Sequence, residues 1–284
     1  MRGHLQGLGA WQRALHHPSF VIGFSILLLL IFCSVLSVFW SPYPVADIDI
    51  PHKLAMPSAL HWLGTDSLGR DIASLLWVGS QNTLLVGLMA VGIGVSVGVP
   101  LGLLASAQRG IPEEIIMRAA DFTFAFPALL SAILLTAIVG PGLLISISAI
   151  GIFNIPVFAR VTRGAGNAIW SRDYCMAARA AGKTKWHITW QHVLPNIASV
   201  LIVQASVQFA IAILAEAALS YLGLGTQPPQ PSWGRMLNEA QSHLFQAPWL
   251  AVYPGMAIAL AVLGLNLLGD GLRDVLDPRL TRSR

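Results

Sequence analysis

Six times this chain stays apolar for long enough to cross the hydrocarbon of a bilayer, and that repetition limits what it can become. A spanning helix needs about 20 predominantly apolar residues. In lipid, backbone N–H and C=O groups must find partners within the spanning structure itself. The runs extend from Ser19 to Trp40, Thr83 to Ala107, Ile115 to Val139, Leu143 to Ala159, Asn196 to Leu222 and Trp249 to Leu268. They predict an all-α membrane protein of six transmembrane helices. The first run exceeds a signal-peptide core and lacks a small-x-small cleavage site, so it reads as a retained anchor. Trp40 and Tyr43 suit the interfacial belt beyond it. Only 11% of residues are charged, against roughly a quarter in soluble domains.

Cations set the orientation. All of the 17 Lys and Arg except Lys53, Arg70 and Arg235 fall in the N-terminal segment, the 109–118 turn, the 160–195 insert or the C-terminal segment from Gly269. Loops rich in Lys and Arg stay in the cytoplasm, so both termini are expected there. The chain divides into residues 1–79 (tail, first helix and external loop), a five-helix core at 80–273 that carries the insert at 160–195, and a tail at 274–284.

Between the runs the punctuation is local. Residues 41–79 are broken by Pro42, Pro44, Pro51 and Pro57 and should turn before a short amphipathic helix toward Trp77. Gly94, Gly98 and Gly102 share one helix face and let another backbone come close; Gly87 lies on a different face. Pro127 and Asp121 fall within the third run, and Gly140-Pro141-Gly142 is a tight helix hairpin. Asn154 and Pro156 interrupt the fourth run and fit either a packed kink or a backbone exposed to a translocation path. Residues 223–248 read as a Pro/Gly/Gln-rich loop.

The basic insert holds Arg160, Arg163, Arg172, Arg179, Lys183 and Lys185 against one acid, Asp173. Arg172 to Ala181 is rich in helix formers, Ser171 suits the start and Gly182 a left-handed stop. A short helix of small residues on the cytoplasmic face reads as a docking surface.

Other chemistry is thin. Cys33 in an apolar run and Cys175 in the insert are not placed to pair. His187 and His192 stand five apart rather than four and lack further ligands, so no metal is expected. No cofactor is expected either. No phosphate-cradling Gly-x-x-x-x-Gly-Lys-Ser/Thr stretch occurs, so ATP would have to be bound by another polypeptide. No Ser/Lys, Ser/His or paired-Asp constellation supports an intramembrane hydrolase, so the chain is not read as an enzyme. Asp121 and Glu216 lie near apolar helix; each fits a proton relay or structural pairing, Asp121 with Arg118 at i−3. The cations follow membrane topology rather than a nucleic-acid footprint.

The insert resembles a known element. Ala177-Ala178, then Gly182, then a nine-residue gap to His192-Val193-Leu194-Pro195 is similar to the EAA loop of ABC-importer permease subunits. The acid that often opens that motif is Met176 here. His61-Trp62-Leu63-Gly64-Thr65-Asp66, Ser220-Tyr221-Leu222-Gly223-Leu224-Gly225 and the tail from Gly269 to Arg279 resemble segments of the dipeptide/oligopeptide/nickel branch. The resemblance covers nearly everything from His61 onward. It implies a type I importer permease in a bacterial inner membrane, forming half of a pore with a homologous permease subunit. It further implies two cytoplasmic ATPase subunits and an external substrate-binding protein. Ala177, Ala178, Arg179, Ala181, Gly182 and Trp186 would then contact the ATPase. Peptides are the expected cargo, with nickel or other small solutes behind them. The competing reading is a secondary transporter driven by an ion gradient, whose paired repeats are missing; a third is a membrane scaffold without transport. A copurifying ATPase would separate the three.

Overall fold

The computed structural model describes residues 14–276. The basic residues expected at either end beyond those limits lie outside the described residues. Within them the regular elements are helices, joined by turns and irregular loops, with one isolated bridge between Thr65 and Asp71.

Helix α1 (Pro18–Phe39) opens on a proline, which suits a first turn because its missing N–H needs no partner there. Its outward residues, among them Phe24, Leu28, Leu29 and Phe32, are exposed as a lipid-facing surface should be. Its inner face packs against α9 (Trp249–Leu276). A Cβ at Gly23 would strike the α9 backbone at Gly264 and Leu268, and one at Gly271 would strike Phe20. Small residues bring the two backbones together where lipid supplies no hydrophobic drive between helices.

Helix α2 (Ile72–Gln108) runs for 37 residues, about 55 Å at 1.5 Å per residue. It is longer than expected. The separate amphipathic helix toward Trp77 is its first turns, capped by Asp71, whose carboxylate accepts from Ser74 N at 2.8 Å. It continues unbroken through residues 79 and 80, where the sequence suggested a boundary.

The glycine face works as predicted. A Cβ at Gly94 would meet Asn154 and Phe158, at Gly98 the Ile155 carbonyl, and at Gly102 the Ala159 carbonyl. All belong to α5 (Leu143–Trp170), which runs parallel to α2. One turn on, Ser106 faces Gly166. Gly87 lies on another face, but that face is also packed, against the Phe209 ring; Gly92 is the glycine with open space.

The third run is not one straight helix. Helices α3 (Ile111–Ala125) and α4 (Ala128–Val139) meet at 80° around Phe126-Pro127. Proline pushes the residue before it out of the helical region, and Phe126 is extended, with ψ of 133°. Helix α5 outruns its predicted end at Ala159 and reaches Trp170, so Arg160 and Arg163 are helical residues.

After α6 (Asp173–Ala180), helix α7 (Lys185–Tyr221) begins ten residues earlier than Pro195. Pro195 does not end the insert. A π-turn at Thr189–Val193 precedes it, as another at Gly94–Gly98 precedes Pro100 in α2. The wider i→i−5 turn makes room for a proline ring that would otherwise clash with the carbonyl four residues back. Within the predicted external loop sits α8 (Trp233–Ala240), capped by Ser232. Trp233 is 1% exposed, and its Nε1 donates to Leu76 O at 3.0 Å. Helix α9 continues past Leu268 to Leu276.

Candidate functional site

At the cation-rich end, α5 hands the chain to α6 through a tight turn. Ser171 does not cap the helix; its hydroxyl donates back to Ala168 O at 3.0 Å, and Arg172 takes the cap position without a side-chain bond. Asp173 in the first turn and Arg179 in the last complement the helix dipole. The C-terminus is fully built. Lys183 N donates to Ala178 O at 3.1 Å and Gly182 N to Arg179 O at 3.0 Å, while Gly182 adopts φ of +78°. These are the paired bonds of a Schellman stop, which a residue with a Cβ joins only under strain.

Two α6 side chains point into the protein. Cys175 and Ala178 are buried in one cluster with Trp170, Ile188 and Val193. Burial pushes the Cys175 thiol above its ordinary pKa, so it packs as a neutral group. Ala178 therefore does not share an outward face with Gly182, as their four-residue spacing suggested. The outward surface is Tyr174, Met176, Ala177, Arg179, Ala181 and Gly182. Trp186 extends it at 64% exposure, edge-on to the exposed Trp190 at 5.6 Å. Lys183 is held by Gln191 at 2.8 Å.

Above α6, arginines tie α5 to α3. Arg160 pairs with Asp121 and lies 4.3 Å over the Phe124 ring; Arg163 Nε bonds Glu113 at 2.6 Å. Asp121 is not paired with Arg118, which turns instead to Glu114 at 2.6 Å. Glu113 and Asp121 of α3 thus face a neighbouring helix whose cations the sequence had assigned to a loop.

Beyond Phe124 the bent pair α3–α4 forms one wall of an open cavity of about 480 Å³, with α5 and α7 supplying the rest of its lining. The lining is apolar except for Asn154 and Gln208. Asn154 is 5% exposed and its Nδ2 has no hydrogen-bond partner. An amide held at membrane depth without a partner is expensive in hydrocarbon. Among the described residues no cluster of His, Cys, Asp and Glu could hold a metal.

Glu216 lies at the far end of α7 and is completely buried. Ser220 donates to it at 2.6 Å, with Thr83 at 3.3 Å and Thr226 at 3.4 Å. Hydroxyls from α2, α7 and the following loop converge on one carboxylate, so Glu216 is a joint. Nothing in the linear sequence distinguished this from a relay residue.

Residues 98–282 match the family described as the binding-protein-dependent transport system inner membrane component. The chain belongs to that family. Residues 6–57 match the N-terminal TM domain of oligopeptide transport permease C. A glutathione transport system permease protein of Pectobacterium atrosepticum is 43% identical over 271 residues, covering 95% of this chain and 90% of the relative. A di/tripeptide transport system permease protein of Pseudomonas aeruginosa is 42% identical over 276 residues, with 95% and 91% covered. A dipeptide transport system permease protein of Alkalihalophilus pseudofirmus is 39% identical over 260 residues, with 92% and 86% covered. The fold is similar to inward-facing conformations of a methionine ABC transporter, with a TM-score of 0.60 and 20% identity over 72% of this chain and 97% of that one. The chain is thus a multi-pass permease of an ABC importer in a bacterial inner membrane. Its system includes a substrate-binding protein and an ATPase carried on a separate subunit.

Proposed function

We propose that this permease pairs with a homologous permease subunit to enclose a pore, and that two ATPase subunits bind beneath them against α6. Peptides of the size suggested by the relatives' names, dipeptides to glutathione, are the cargo. Residues Ala177, Arg179, Ala181, Gly182 and Trp186 contact the ATPase, while Ala178 anchors the helix from behind. A three-part division fits this reading, with the first boundary moved from 79 to Asp71, the cap of α2, and the cytoplasmic tail starting after Leu276 rather than at 274.

One observation carries this reading. Helix α6 hangs directly from α5, and α5 is ion-paired to α3, whose bend at Pro127 forms a wall of the cavity. A push on α6 from below therefore reaches the membrane-depth wall through packed helix and salt bridges. Asn154 and Gln208 at that wall offer amide groups, the chemistry that pairs with a peptide backbone.

Gly182→Leu tests it. The substituted side chain meets open space within this chain, so the change strains one turn and leaves the spans intact. Membrane insertion is expected to stay normal while ATPase copurification or uptake of a labelled dipeptide falls at least tenfold. Met176→Glu, at an exposed position, should leave both intact. Full ATPase association and full uptake in Gly182→Leu would remove α6 from the coupling path.

A further inference from the structure

A second site lies beside α6. The cytoplasmic ends of α2, α5, α6 and α7 surround an open pocket of about 240 Å³ lined by Ser106, Gln108, Arg109, Trp170, Arg179 and Lys185, the three cations all exposed. Its volume would hold several waters at about 30 Å³ each. Three cations share this space and no acid lines it. Among the described residues, neither Arg109, Arg179 nor Lys185 makes an ion pair. This contrasts with Arg160, Arg163 and Arg118 nearby, each of which has found a carboxylate.

Trp170, 7% exposed, floors the pocket. Ser106 spends its hydroxyl proton on Leu103 O at 3.0 Å. A ligand seated here meets three positive charges and no carboxylate, so it must bring negative charge and acceptor oxygens.

We propose that this cavity is an anion site for a phosphate group. Arg109 and Arg179 supply guanidinium donors suited to a phosphate's paired oxygens, and Lys185 adds a point charge. The position favours such a ligand. Arg109 directly follows the last turn of α2, where the chain leaves the membrane on the side of anionic headgroups. Basic pockets between helices on that side are where lipid phosphates lodge. A free phosphate in the cytoplasm has the same chemistry, and the two sources are separable.

The assembled transporter, permease with its ATPase partners, is placed in phosphatidylcholine nanodiscs with or without phosphatidylglycerol. Native mass spectrometry counts the phosphatidylglycerol retained on release. In discs lacking phosphatidylglycerol, inorganic phosphate is titrated and the unfolding temperature followed. Retention or a phosphate-dependent rise in unfolding temperature is expected in the wild type. Arg109→Gln and Lys185→Gln should each weaken that binding about fivefold. Lys183→Gln, held by Gln191 outside the cavity, should change nothing. Phosphatidylglycerol retention alone identifies a lipid headgroup, and a phosphate response alone a free anion; either supports the site. Equal binding by wild type and the Arg109→Gln/Lys185→Gln double variant overturns it. Binding seen only after the ATPases are stripped away also overturns it, since the cations would then serve the protein interface.

Discussion

The two ends of this bundle treat charge in opposite ways. At the outer end Arg70 bridges Asp66 at 2.6 Å and Glu239 at 2.7 Å, Arg235 bonds Glu239 at 2.9 Å, and His61 reaches Asp71 at 3.0 Å. Glu216 is sealed there among hydroxyls, and Trp233 fills the space between α8 and α2. At the cytoplasmic end Arg109, Arg172, Arg179 and Lys185 are exposed, and none makes an ion pair among the described residues. The outer end pairs Arg70 and Arg235 internally; the inner end pairs Arg118, Arg160 and Arg163 but leaves these four cations without a carboxylate.

The all-or-none test of the comparison is accessibility. Cys175 and Ser232 are both buried and cannot serve as probes. Exposed Ser171 and Ser242 can, each changed to Cys in a Cys33→Ser/Cys175→Ser background. In intact cells whose outer permeability barrier has been removed, an impermeant maleimide should label the cysteine at 242 and not the one at 171. The opposite pattern would invert the two ends and strip α6 of its cytoplasmic role.

Next in size is the loss of a closed charge network. Arg70→Ala leaves Asp66 and Glu239 facing a shared, largely buried gap. Breaking such a pair from one side should destabilise the outer end by about 3 kcal/mol, read as a lowered unfolding temperature of the purified transporter. A wild-type unfolding temperature would mean that the network is ornamental.

The seam between the ends gives a smaller effect. Gly98→Leu drives a side chain into the α5 backbone and should cost about 1–3 kcal/mol. Gly92→Leu, with nothing within 4 Å, should stay within about 0.5 kcal/mol. Equal losses at both would deny the α2–α5 seam its close approach.

The smallest effect belongs to the open end. Arg172→Ala removes an exposed cation that makes no ion pair, and should move stability by less than about 0.5 kcal/mol. A loss as large as that of Arg70→Ala would show that the inner end is as self-sufficient as the outer one.

Much of this protein follows from one dimension of information. The spanning runs are legible because hydrocarbon accepts little except long apolar helices, so length and hydropathy suffice. The Gly94–Gly98–Gly102 face is legible because helical periodicity is local, and Gly182 because a left-handed helix stop favours residues without a Cβ. The short helix α6 was visible for the same reason. What the sequence could not settle depends on neighbours. Helix α5 continues past Ala159 because Arg160 and Arg163 find Asp121 and Glu113 across an interhelical gap. Whether Pro127 bends a span and Pro195 does not depends on the surrounding turns, a sharp break in one case and a preceding π-turn in the other. Ala178 faces inward because the Trp170 cluster fixes the roll of α6, which a four-residue spacing leaves free. Glu216 becomes a joint only when hydroxyls separated by more than a hundred residues converge on it. Periodicity acts within a helix, whereas charge pairing, roll and partner choice are energies between helices, and only the packed structure sets those.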